Sequence, residues 1–271
     1  MSRTPLPRVL RAPLKRLSRL GRSSVLHSPY YRRHPLEIVN LIRARRRLRT
    51  AAVSDPRGFL ARLGIDPGPV LDDFTRWQDV LAPVVACKSR VGISDAEGRI
   101  LYAVVRALQP SHVIETGVAE GVSTSYIGAA LVDNGHGVVH SLELPPADMP
   151  DDVALEDGSV YAWQHKGVAF LVPNEIRAAL GERWDVRLGD VRETLPVLLA
   201  EVPSIGLFFH DDLHVPTHML WEYQLVWPHI VSGGMLMSDD ANAGWVRFAE
   251  RHLGKADGLL NFRRLAAARH P

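Results

Sequence analysis

The chain has 271 residues, of which 46% are apolar and 23% charged, which excludes disordered, fibrous and low-complexity classes. The net charge of +2 hides an imbalance: residues 1–50 hold fourteen Arg and Lys against one acid, Glu37, a charge of +13, so the other 221 residues carry −11. One cysteine, Cys87, excludes an intrachain disulfide and any multi-cysteine metal site, which makes a reducing cytoplasm the expected compartment, and its side chain is expected to be a small buried hydrophobe. No apolar run reaches the ~18 residues of a membrane span or the core of a signal peptide.

In the basic arm, Leu6, Leu10, Leu14, Leu17 and Leu20 recur at steps of three and four, with Arg8, Arg11, Lys15, Arg16, Arg19 and Arg22 between them. That is the pattern of a basic amphipathic helix, weakened by Pro5, Pro7 and Pro13. Such a helix can lie on an anionic membrane surface, giving peripheral membrane association, or dock its leucines on the main domain or a second subunit. A second helix is expected from Leu36, carrying Arg43, Arg45, Arg46, Arg47 and Arg49 as a solvated face; no aromatic platform accompanies them, which speaks against nucleic acid. A Gly- and Pro-rich stretch from Ser54 to Pro69 reads as a linker.

From Ser94 the pattern changes. Ser94 and Glu97 make a capping box that opens a helix through Leu108, ended by Pro110. Strands are expected at His112 to Thr116, Val138 to Glu143, Trp184 to Leu188, Ile205 to His210 and Met235 to Ser238, with helical stretches in most of the intervals. A helix from Trp245 to Leu253 and about one strand near Leu259 to Leu265 complete the chain. The expected fold is therefore α/β: a Rossmann-like, mostly parallel sheet with helices on both faces over residues 88–271, preceded by a basic helical region over 1–87.

The segment Glu115-Thr116-Gly117-Val118-Ala119-Glu120-Gly121 joins a strand to a helix. A dinucleotide fingerprint would need a glycine where Ala119 stands, so that reading is weak. Glu-x-Gly-x-x-x-Gly instead resembles the first motif of the class I S-adenosylmethionine-dependent methyltransferases. The resemblance implies that Glu115, Gly117 and Gly121 line the methionine part of the cofactor, with Ser123 and Thr124 nearby. It further implies that Glu143, ending the next strand, takes the ribose hydroxyls, and that Asp190 lies near the adenine.

Two further strands end in paired acids, His210-Asp211-Asp212-Leu213-His214 and Ser238-Asp239-Asp240. Carboxylates gathered in one crevice repel unless a cation compensates them, and oxygen donors without thiolates favour magnesium. The spacing of Asp211, Asp239 and Asp240 resembles the metal triad of magnesium-dependent O-methyltransferases acting on catechols and natural-product sugars. With Trp227-Pro228-His229 and Gly233-Gly234, the likeness is greatest to bacterial macrolide-sugar methyltransferases, over about residues 90 to 255. Either Asp211 or Asp212 can be the ligand, and Asp239 and Asp240 could instead cap the following helix. His214 is the candidate general base, with His210 and His218 as rivals. Trp221, Tyr223 and Trp227 form either a substrate wall or core.

The expected function is magnesium-assisted O-methylation of a hydroxyl on a sugar or other natural-product acceptor, by a homo-oligomer. The alternatives are metal-independent methyl transfer with a histidine base, and a non-catalytic cofactor- or glycan-binding module held at membranes by the arm.

Overall fold

Apolar strands separated by amphipathic helices can bury their side chains only by stacking into layers, and this chain does so around one sheet. The computed structural model describes residues 28–88, 92–145, 168–253 and 259–271; the leucine-rich segment 6–20 lies outside them. Short helix α1 (Pro29–Arg33) and helix α2 (Glu37–Ala51) lead to β1 (Ala52–Val53). Helices α3 (Pro56–Arg62), α4 (Pro67–Asp73), α5 (Gln78–Cys87) and α6 (Asp95–Leu108) follow. The alternating part runs β2 (His112–Thr116), α7 (Val122–Asn134), β3 (Val138–Glu143), α8 (Asn174–Leu180), β4 (Trp184–Leu188), α9 (Val191–Glu201), β5 (Ile205–His210), α10 (Pro216–Val226) and β6 (Ile230–Ser238). Helix α11 (Ala243–His252) and strands β7 (Asn261–Phe262) and β8 (Leu265–Arg269) end it.

The eight strands lie in the order β1-β7-β8-β6-β5-β2-β3-β4, and only β8 runs against the rest. Between β4 and β5 the chain returns across the sheet to the other side of β2. That reversal opens a crevice at the carboxyl ends of β2 and β5. Both faces are covered, as the unbroken apolar strands require. Phe209, Met235 and Met237 face one core with Phe59, Leu60 and Leu101, while Phe208 and Leu236 face the other with Ala44, Leu48, Trp245 and Phe248.

Four expectations are corrected. The stretch from Ser54 to Pro69 is no linker: it holds α3 and α4, each opened by an Asp cap and a first-turn proline, with Phe59 and Leu60 fully buried. Cys87 is exposed, because α5 turns Leu81 and Val84 inward and leaves its last residue in solvent. Strand β6 starts at Ile230 rather than Met235. The tail carries two antiparallel strands where one was expected. Among the described residues no helix is long and apolar enough to cross a membrane.

Candidate active site

At the end of β2 the backbone turns through Gly117 (φ +81°), Ala119 (φ +45°) and Gly121 (φ +88°) before α7 begins. A side chain at Gly117 would lie 2.3 Å from the Asp211 carbonyl oxygen, so the glycine lets two strand ends touch. Glu115 lies fully buried beneath this turn, and its Oε2 accepts hydrogen bonds from Thr124 Oγ1 at 2.7 Å and Ser141 Oγ at 3.0 Å. Burial pushes its carboxyl up to about 7, partly offset by the hydroxyls of Ser123, Thr124 and Ser141. Glu115, Gly121, Ser123 and Thr124 thus shape the turn from behind, while Gly117 reaches the wall of a cavity of about 160 Å³.

Glu143 and Asp190 line the same cavity, with Leu142, Leu144 and Val191 as its apolar walls. Glu143 also holds the glycine turn in place, since its Oε2 accepts from the Ala119 N–H at 2.6 Å and its Oε1 from the Leu144 N–H at 2.8 Å. Burial raises it to about 7, against the backbone donors that stabilise its charge. Asp190 caps α9 through the Arg192 N–H at 2.8 Å. Acceptor oxygens between aliphatic walls suit a nucleoside, whose ribose donates hydroxyls and whose base needs an apolar slot. These residues fit S-adenosylmethionine.

Beyond Gly117 the acids converge. Pairing of β5 with β6 sets His210 beside Ser238, so the residues after each strand, Asp211 and Asp239, emerge side by side. Their backbones are fixed: Asp211 donates its N–H to the Thr116 carbonyl and Asp239 to the His210 carbonyl, both at 2.9 Å. Ligating atoms of Asp211, His214 and Asp239 lie within 4.8 Å of one another. His214 Nε2 stands 3.6 Å from Asp211 Oδ1, and its Nδ1 3.8 Å from Asp240 Oδ2.

Burial raises Asp211 against the opposing His214 imidazole, and burial reinforced by Asp211 and Asp240 takes Asp239 well above the usual carboxylate range. Burial disfavours charge on His214 as well, but the carboxylates of Asp211, Asp240 and Asp239 outweigh it and push the imidazole up to about 10. Asp239 Oδ1 is buried with no hydrogen-bond partner. An orphaned buried oxygen among like charges is what a hard divalent cation relieves, so the donor set fits magnesium. Asp239 and Asp240 do not cap the next helix; Asn242 does, accepting from the Gly244 N–H at 2.8 Å.

Geometry also separates the two candidate ligands at β5, because Asp212 turns away from Asp239 toward His210 and His218. Against its burial, the imidazoles of His210, His218 and His214 hold Asp212 below the usual carboxylate range. Tyr223 and Trp227 join the core around Phe248, and Trp221 sits against His218. One site residue had no signal in the sequence: Arg264, in the β7–β8 turn, places Nη1 2.8 Å from Asp240 Oδ2 and Nη2 3.3 Å from Asp239 Oδ2.

Residues 114–241 match the model of a family described as a methyltransferase domain. A catechol O-methyltransferase of Mycobacterium tuberculosis is 25% identical over 179 residues, which are 63% of this chain and 72% of that protein. Among solved structures, the O-methyltransferase TomG from Streptomyces achromogenes, in complex with S-adenosylmethionine, is similar at a TM-score of 0.44 and 15% identity, over 70% of this chain and 79% of its own. An O-methyltransferase from Bacillus cereus, in complex with S-adenosylhomocysteine, is similar at 0.44 and 17%, over 69% and 80%. The sheet order and the crevice agree with the match of residues 114–241 to a methyltransferase domain. Over that stretch the chain is similar to methyltransferases.

Proposed function

We propose that the chain is a magnesium-assisted O-methyltransferase whose acceptor is a hydroxyl of a sugar or other natural-product scaffold. The observation that carries this reading is the meeting of Asp211, Asp239 and His214 beside a crevice suited to the cofactor. S-adenosylmethionine, when bound, supplies a sulfonium methyl: the acceptor oxygen bonds to that carbon as the carbon–sulfur bond breaks, and S-adenosylhomocysteine leaves. Magnesium, when bound, supplies charge that lowers the cost of the hydroxyl losing its proton.

Asp211 and Asp239 would hold the ion, with Asp240 beside them. Once their charge is spent on a cation, the pull that keeps His214 protonated weakens, and the imidazole becomes free to act as a base near neutral pH. The hydroxyl proton then passes to His214 Nε2, on the Asp211 side. Glu143 and Asp190 bind the nucleoside, and Leu213, on the cavity wall beside Asp212, helps exclude water. Exposed Arg43, Arg46 and Arg49 on α2 support an anionic acceptor or surface drawn in by the basic N-terminal region.

Arg264 favours a second reading. Its guanidinium already compensates Asp239 and Asp240, as metal-independent transfer with a histidine base would need. Chelation separates the two. Formation of S-adenosylhomocysteine with catechol and glycoside acceptors should stop in EDTA and return with magnesium. Asp239→Asn should lower kcat about a hundredfold or more, as several kcal/mol of lost charge stabilisation implies. Activity indifferent to chelation would leave His214 and Arg264 as the whole machinery.

A further inference from the structure

Behind the aspartates lies a second group of chemically able side chains that methyl transfer leaves unused. His210 ends β5, Asp212 follows two residues on, and His218 and Glu222 share one face of α10. His210 and Glu222 are fully buried and His218 nearly so. His210 Nδ1 meets Glu222 Oε2 directly and stands 3.3 Å from Asp212 Oδ1, and the ligating atoms of these three residues lie within 4.8 Å of one another. His218 Nε2 sits on the outer side, 3.0 Å from Asp212 Oδ2 and 3.6 Å from Glu222 Oε1.

We propose that His210, Asp212 and Glu222 form a second cation site, selective for a first-row transition-metal dication such as zinc, with His218 as its positioning residue. Donor atoms about 2.0–2.1 Å from one ion stand roughly 3.3 Å apart in a tetrahedral set, the separation found between His210 Nδ1 and Asp212 Oδ1. Two oxygens make no hydrogen bond and face an imidazole only at ion-pair distance: Asp212 Oδ1 and Glu222 Oε1 are buried, and Glu222 lies wholly inside the protein. Such atoms are costly unless something binds them.

The surroundings orient the ligands as a metal requires. Thr116 Oγ1 donates to Glu222 Oε2 at 3.2 Å, and His218 holds the outer Asp212 oxygen, which leaves the inner one facing His210. Two carboxylates and a neutral imidazole carry the −2 that a dication cancels. An ion has a way in, because Asp212 and His218 both line the crevice cavity. Imidazole as a ligand favours zinc, iron or copper over magnesium, whereas the carboxylate oxygens of Asp211 and Asp239, with His214 kept as the base, favour the harder ion. Adjacent residues of one loop would thus serve two sites of different selectivity. The rival occupant is protons shared among the same side chains.

The test needs no acceptor and does not rest on the proposed reaction. The full-length protein is stripped of metal, equilibrated with zinc under a large excess of magnesium, freed of unbound ions, and analysed for zinc per chain. We expect one zinc in the wild type and in Asp239→Asn, none in Glu222→Gln, and an affinity about 10–100-fold weaker in His218→Gln. Circular dichroism checks each variant, and Asp212→Asn replaces Glu222→Gln if the latter does not fold. A zinc-free wild type would overturn the proposal in favour of the shared protons, as would zinc lost with Asp239 instead of Glu222.

Discussion

Gly117 sits where the cofactor turn and the aspartate loop touch, and both its φ of +81° and the 2.3 Å clearance to the Asp211 carbonyl exclude a side chain. Gly117→Ala should therefore cost about 1–3 kcal/mol from the backbone conformation alone, read in chemical denaturation, and more as Asp211 is displaced. Binding of S-adenosylhomocysteine should weaken in step, since the same shift moves the cavity wall. An unchanged midpoint would show that the two strand ends can part without strain. The acids show how far single residues were readable. Glu115, Glu143 and Asp190 stand at successive strand ends, as their spacing suggests, but their hydrogen bonds divide the work differently. Glu115 stiffens the turn from beneath, and Glu143 clamps the Ala119 N–H as well as facing the crevice.

At the scale of elements, the capping box of α6 is reciprocal, with the Glu97 N–H reaching Ser94 Oγ at 3.4 Å and the Ser94 N–H reaching Glu97 Oε2 at 2.8 Å. Ser94→Ala should cost about 1 kcal/mol, a fall of roughly 2–4 °C in Tm on thermal melting. Strands β2, β3 and β5 were legible because a buried parallel strand is a short apolar run bounded by helices, whereas β4, at the sheet edge, alternates Trp184, Val186 and Leu188 with Asp185 and Arg187. The helices at Pro56 and Pro67 were misread because proline marks a helix start as readily as a break, and only the Asp55 and Asp66 caps tell the two apart. Arg264 was hidden for a related reason. Its turn bends at Arg263 (φ +54°), with no glycine or asparagine to announce it, so the hairpin that delivers the guanidinium to Asp239 and Asp240 left no trace.

At the scale of the whole molecule, the two ends of the described chain are bound together. Strand β1 pairs with β7, Arg247 Nη2 donates to both Glu37 carboxylate oxygens at 2.6 and 2.7 Å, Arg47 pairs with Glu250, and Asn261 Nδ2 donates to the Leu48 carbonyl at 2.9 Å. Asn261 is buried, so Asn261→Ala strands the Leu48 carbonyl without a partner. Amide exchange over residues 48–53 should accelerate roughly tenfold or more, while β2 and β3 keep their protection. Equal acceleration across the sheet would mean that the junction opens only with the whole fold. Leu48 and Asn261 are 213 positions apart, and at about 5–20 residues per second a ribosome needs roughly 10–40 s to cover that distance. For most of that interval Ala44 and Leu48 have been made, but Trp245, Phe248 and Leu259 of the core they join have not. The nascent chain therefore carries an exposed segment with the character of a chaperone's client until the residues from Trp245 to Ala268 have been added.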